Sequence, residues 1–286
     1  MTDLSDALKH RYRVEPGGEI VPGVTTIINI LDKPALKWAS SQIAAASAVE
    51  NTRRKKAIVT RHREWLQKSR GKTDSASKKR TLGEVGTDDE VYIHWCRGEF
   101  DRQWRAKADR GTRIHDIAER WSLHPTEPVD VLLEDSKYVD ALEQFHKLYK
   151  PKFLLTECIV TNAHHRYGGR FDFIAELDGP EVQGVVMGDY KSGGKYPYEV
   201  ALQAEGYMNC ELSTFNDDGS LGVSNPLPEL VGARTVYLGD DGNVSVVDPF
   251  EKISRENAWT AFLACLELFS INKQIDAALD GWSDDE

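Results

Sequence analysis

Three short stretches bring together residue types that suit work on an anionic ester: Gly168-Gly169-Arg170-Phe171-Asp172, Gly188-Asp189-Tyr190-Lys191 and Gln203-Ala204-Glu205-Gly206-Tyr207. Hard divalent cations such as Mg2+ or Mn2+ take oxygen ligands, usually one or two carboxylates plus water and substrate phosphate. Asp172 and Asp189 supply that minimum. Displacement at phosphorus also needs an activated water and positive charge at the phosphoryl oxygens, which a metal and a nearby ammonium both offer. Lys191 is the candidate ammonium.

The elements that must position these groups are legible in outline. Val185 to Lys191 is β-branched and apolar, the pattern of a buried strand, and Ser192-Gly193-Gly194 ends it. Side chains alternate along a strand, so Asp189 and Lys191 leave the same face. Arg170 to Ala175 alternates polar and apolar, which makes Asp172 a second strand carboxylate, and Gly168-Gly169 suits a hairpin turn before it. Tyr198 to Leu212 has helical spacing, with Gln203 and Tyr207 stacked at i and i+4. Gly193-Gly194-Lys195 is no nucleotide loop, because the G-x-x-x-x-G-K-[ST] spacing is absent.

As an ordered set these motifs resemble the PD-(D/E)XK nuclease superfamily in its RecB-like, phage-type exonuclease branch: Asp172, then Asp189-Tyr190-Lys191 as the D-x-K signature, then Gln203 with Tyr207 as the Q-x-x-x-Y helix. Two further positions fit, Glu157 on the strand Phe153 to Val160 and His115 in Arg110-Gly111-Thr112-Arg113-Ile114-His115. The resemblance covers roughly Lys107 to Tyr207, and more loosely Val24 to Trp38. It implies that His115, Glu157, Asp172 and Asp189 hold one or two Mg2+ or Mn2+ ions, with the Tyr190 carbonyl as a further ligand. Lys191 would position or deprotonate the attacking water, and Gln203 and Tyr207 would place the substrate. Glu119 shares a helix face with His115 and has an equally good explanation as a solvent-facing carboxylate. Some relatives carry a four-cysteine iron-sulfur cluster. Here Cys96, Cys158, Cys210 and Cys265 are scattered, so no such cluster is expected and reduced, buried thiols are.

The net charge of −10 at first speaks against a nucleic-acid partner. Its distribution changes that: between Thr52 and Arg80 twelve Lys/Arg stand against two acids, leaving −20 on the rest. Such segregation suits a basic segment that meets phosphates. The candidate DNA contacts are Arg53, Arg54, Lys55, Lys56, Arg61 and Arg63, with Arg170 and Lys195 nearer the motifs. A solvated helix face explains the basic run almost as well. The adjacent His164 and His165 read as plain loop residues.

Composition, 40% hydrophobic and 29% charged, describes a globular chain with no apolar run near a membrane span and no basic-then-apolar leader, so a cytoplasmic protein is expected. The expected fold is α/β, a central mixed sheet of about five strands flanked by helices, in the manner of a restriction-endonuclease core. Residues 1–106 form an N-terminal helical region bearing the basic segment 52–80, and 107–286 form the nuclease core. Thr87-Asp88-Asp89-Glu90 caps a helix carrying Trp95, Phe100 and Trp104, and a break at Gly111 precedes the His115 helix. Leu132 to Lys150 is amphipathic, with Tyr138, Leu142, Phe145 and Tyr149 as its packed stripe. Ser213 to Gly232 carries no pattern. Ser254 to Leu279 is helical.

The function expected from the resemblance is a metal-dependent deoxyribonuclease, most simply an exonuclease of phage recombination or DNA processing. A structure-specific or restriction-like endonuclease is the first alternative, since the same metal site serves both actions. A non-catalytic DNA-binding recombination partner is the second. DNA is the expected partner, a single-strand annealing protein or other recombination protein an allowed one, and an oligomer is compatible with the sequence.

Overall fold

The computed structural model describes residues 12–15, 18–31, 34–68, 87–124, 131–193, 197–215 and 221–282. The loop expected at Ser69–Ser77, Lys195, and the acidic end from Ser283 lie outside them. The chain divides into two compact units, Asp32–Arg110 and the remainder, Met1–Leu31 with Gly111–Glu286. No helix among the described residues is long and apolar enough to cross a membrane.

The larger unit is built on a seven-stranded mixed sheet. Its strands are β3 (Lys152–Asn162), β4 (Tyr167–Asp178), β5 (Gln183–Lys191), β6 (Glu211–Phe215), β7 (Leu221–Asn225), β8 (Gly232–Leu238) and β9 (Val244–Val247), in the order β7-β6-β3-β4-β5-β8-β9. Among the described residues, β5 and β8 are the one parallel strand pair of this sheet. A separate two-stranded sheet, β1 (Tyr12–Arg13) with β2 (Ile20–Val21), packs against β4. The sheet thus exceeds the five strands expected, and the excess includes β6 and β7. The edge strand β7 lies in the stretch without pattern, and β6 straddles its start: the helix expected to run to Leu212 stops at Met208, and Glu211 and Leu212 open a strand instead.

Helices cover both faces. On one, α1 (Val24–Ile28), α7 (Pro197–Met208) and α8 (Arg255–Trp282) pack on Val160, Tyr167, Phe171, Met187 and Ala233. On the other, α6 (Ser136–Tyr149) and the C-terminal half of α5 (Glu99–Leu123) pack on Phe173, Ala175, Leu177, Val186 and Val236. The expected stripe of α6 is buried throughout, and the helix stops where Lys150 turns left-handed (φ 44°) before Pro151. All four cysteines are buried free thiols.

β4 does not keep the plain alternation its sequence suggests. Phe171 and Phe173, two residues apart, pack in different hydrophobic clusters on opposite faces. The facing of the strand therefore changes across Asp172 without a shift of register against β3. Glu157 on β3 is irregular at the same level: it has φ 50°, and it and Asp172 are both skipped in a ladder that pairs Thr156 with Phe173 and Cys158 with Phe171. The register shift between these two strands lies earlier, between Phe153 and Leu155.

The hairpin between β3 and β4 also differs from expectation. Its turn is Ala163 to Arg166, with Arg166 at φ 54°, and Asn162 caps it by accepting from the His165 N–H at 2.8 Å. Gly168 and Gly169 lie inside β4, where they admit close neighbours rather than make a turn: a Cβ on Gly169 would sit 2.3 Å from Tyr207 Cε1.

The smaller unit is helical: α2 (Pro34–Glu50), α3 (Lys55–Lys68), α4 (Asp88–Arg97) and the N-terminal half of α5. Thr87 and Glu90 form the expected capping box. The expected break at Gly111 is absent, because the helix interruption falls at Gly98, between α4 and α5. An isolated glycine costs a helix only ~1 kcal/mol, which a 25-residue helix absorbs.

Candidate active site

The three motif stretches meet at one end of the sheet. Asp172 lies on β4, the middle strand; Asp189 and Lys191 close β5; Gln203 faces them from α7 and His115 from α5. Each carboxylate oxygen of the aspartates has a donor. Asp172 Oδ1 is 3.3 Å from His115 Nδ1, and its Oδ2 accepts from the Tyr190 N–H at 2.6 Å. Asp189 Oδ2 is 2.5 Å from Lys191 Nζ, and its Oδ1 accepts from Gln203 Nε2 at 3.3 Å. The Gln203 amide also donates to Tyr207 Oη at 3.2 Å.

These groups are largely withdrawn from solvent, the side chains of Asp172 and Asp189 being 15% and 19% exposed. Burial and shared charge push the two apart. For Asp172, burial is outweighed by His115, Lys191 and the Tyr190 N–H, so its carboxyl titrates below the ordinary range. For Asp189, burial together with the Asp172 charge wins over Lys191, and its carboxyl titrates above. Two like charges in one low-dielectric site behave this way. Lys191 and His115 are raised despite burial, because both face the aspartates.

Glu157 joins from β3. Arg170 Nε lies 2.8 Å from its Oε2. Burial pushes this carboxyl up to about 7, Arg170 opposes, and the charges of Asp172 and Glu119 add to the rise. Glu119 is therefore close enough to be felt at the site.

Of the residues expected here, the structure gathers His115, Asp172, Asp189, Lys191, Gln203 and Glu157 with Arg170. Tyr190 contributes its main-chain N–H, while its ring is buried beside Phe173 and Phe145. Tyr207 is 3% exposed and packs over Gly169, so its contact is with Gln203 rather than with Lys191. Among the described residues no three His, Cys, Asp or Glu converge tightly enough to form a metal-ligand group. In this arrangement Lys191 and Gln203 stand against the oxygens of Asp189, and Arg170 against those of Glu157.

Tyr12 was not anticipated. This buried residue of β1 is pressed against Gly168, and its hydroxyl is held above its usual range by burial, with Arg170 and Glu157 the next influences. Nothing in the polar stretch around it marks it; an isolated tyrosine between arginines carries no periodic signal.

The basic residues of the smaller unit divide into two groups. Lys55 pairs with Asp89, and Arg63 with Asp88 at 2.9 Å, which ties α3 to α4. Arg53, Arg54, Lys56 and Arg61 are exposed. The chain matches no protein-family model and no curated protein.

Proposed function

We propose that this chain is a Mg2+- or Mn2+-dependent deoxyribonuclease of the PD-(D/E)XK superfamily, acting as an exonuclease, with a restriction-endonuclease-like core inside its sheet. The observation that carries the reading is the Asp172–Asp189–Lys191 constellation, an ammonium paired with Asp189 and within electrostatic reach of Asp172, the two largely buried carboxylates having opposed pKa shifts at the end of a mixed sheet. Such opposed titrations concentrate at functional sites.

The carboxylate oxygens fit a hard divalent cation, while the His115 imidazole is a softer donor than such ions favour. Asp172, Asp189 and His115 would hold it, with Glu157 beside them and the Tyr190 carbonyl as a further ligand. Bound there, the ion would offset phosphoryl charge and lower the pKa of a coordinated water.

The chain's own residues do the rest. Lys191, raised in pKa, stays an ammonium at neutral pH and so stabilises negative charge rather than removing a proton. Glu157, at about 7, is the group able to take and return a proton near neutrality. Gln203, fixed by Tyr207, offers an amide toward Asp189 and the substrate beyond it.

The test is incubation with end-labelled linear and covalently closed DNA, single- and double-stranded, in Mg2+, Mn2+ or EDTA. Asp189→Ala and Lys191→Ala proteins run in parallel. Loss of linear DNA only, dependent on metal and absent from both variants, is the expected result. Cutting of closed circles would make the enzyme an endonuclease, binding without cutting would make it a DNA-binding partner, and variants that cut at the parent rate would remove this site from the chemistry.

A further inference from the structure

The smaller unit holds an open cleft of about 640 Å3 between α3, α4 and the start of α5, within the roughly 300–1,000 Å3 of ligand sites. Ile58, Arg61 and Trp65 recur at helical spacing along its α3 wall, and Arg54 ends the 3-10 turn that leads into that helix. Four arginines line the cleft, the fourth and third being Arg105 and Arg102, against one acid, Asp101. Arg102 is held by Glu99 and lies 4.5 Å over the Trp95 ring. Arg54, Arg61 and Arg105 have no ion pair among the described residues.

The aromatic groups form an ordered stack. The Trp65 and His62 rings are nearly parallel, 9° apart with centroids at 5.3 Å, and His62 stacks on His94 at 5.1 Å. Their nitrogens meet, His62 Nε2 to His94 Nδ1, at 2.8 Å, so one ring donates and the other accepts. Burial, then His94 and Arg102, keep His62 below its usual pKa, which leaves it a flat, neutral platform. Trp65, at the outer end of the stack, is 57% exposed.

We propose that this cleft binds single-stranded DNA, one base stacking on Trp65 while Arg54, Arg61 and Arg105 meet its phosphates. Flat rings beside unengaged guanidinium groups are the chemistry of sequence-tolerant strand binding. Duplex DNA keeps its base faces covered and cannot use the ring. The inference deepens the nuclease reading by naming what the helical unit holds, and rests on it only for the choice of DNA as the polymer.

The experiment measures anisotropy of a fluorescein-labelled oligo(dT) with full-length protein in EDTA, where no cleavage intervenes. Trp65→Leu, Trp65→Phe and Arg54→Ala/Arg61→Ala are compared with the parent, their folding checked by circular dichroism. Hydrolysis of bis(p-nitrophenyl) phosphate in Mn2+ reports the carboxylate site separately. Expected are a loss of affinity on the order of tenfold for Trp65→Leu, recovery in Trp65→Phe, and a salt slope smaller by about 1.4 in the double arginine variant. Small-substrate hydrolysis should be unchanged in all three. Parent-like binding by the variants, or duplex DNA bound as tightly as oligo(dT), would overturn the proposal. A parent that binds through the cleft but hydrolyses nothing would overturn the nuclease reading alone.

Discussion

Arg170 Nε lies 2.8 Å from Glu157 Oε2, and Glu157 meets it from a left-handed backbone conformation that β3 adopts at that residue alone. The pair sets a measurable titration. Burial raises the Glu157 carboxyl to about 7 against the pull of Arg170, so Arg170→Met should move it higher still in metal-free protein, followed by carboxyl carbon NMR. A folded-state value above the unfolded one makes Glu157 stabilising below about 4.5, and that contribution is lost as pH rises toward 7. Glu157→Gln should therefore flatten the stability profile between these values. A parent profile without that slope would count against the assignment.

Lys191 and Asp189 are coupled, at 2.5 Å in a mostly buried setting. Lys191→Met alone leaves two carboxylates facing each other and should cost about 1–3 kcal/mol in denaturant unfolding at pH 7. Adding Asp189→Asn should recover much of this. Additive losses in the double variant would show that the two side chains do not interact.

Metal should act on stability as well as on rate. At a concentration a hundredfold above its Kd, Mn2+ should stabilise the parent by about 2.7 kcal/mol, and EDTA should reverse it. Asp172→Ala should abolish the shift in thermal unfolding. An Asp172→Ala protein stabilised as strongly as the parent would place the ion elsewhere.

Gly169→Ala puts a methyl group where Tyr207 stands, 2.3 Å from its Cε1. Overpacking of this kind costs about 1–3 kcal/mol, and displacing Tyr207 also frees Gln203. Tyr207→Leu in the same protein should restore part of the stability but not the Gln203 contact. Unchanged unfolding in Gly169→Ala would mean that Tyr207 yields without cost.

His146 stacks on Trp121, its Nε2 is buried with no hydrogen-bond partner among the described residues, and burial lowers its pKa. The unfolded chain then takes up the proton first, so stability should fall as pH drops below about 6.5. His146→Phe should remove that part of the acid sensitivity. Identical acid profiles for the two proteins would rule His146 out as its source.

How much of this was legible from residues alone depends on periodicity. The stripe on α6, the capping box at Thr87 and the strand through Asp189 all follow from spacing, and the structure forms each of them. What spacing misreports is where regular structure is broken on purpose. Phe171-Asp172-Phe173 reads as clean alternation, yet the two rings pack on opposite faces, and Gly188 leaves the space that Phe173 fills: a Cβ on that glycine would lie 1.9 Å from the Phe173 ring. Gly168-Gly169 looks like a turn for a related reason, since glycine marks both bends and close approaches. Tyr12 and the β6–β7 edge were hidden because neither carries an apolar repeat.

β4, which carries Asp172, is the fourth of seven strands, flanked on each side by three others. Its pairing is uneven, though: Phe173 to Glu176 are laddered to both β3 and β5, while Asp172 stands in neither ladder. The carboxylate at the centre of the candidate site is thus carried where the doubly paired backbone gives out, and its amide should exchange sooner than those of the four residues that follow it.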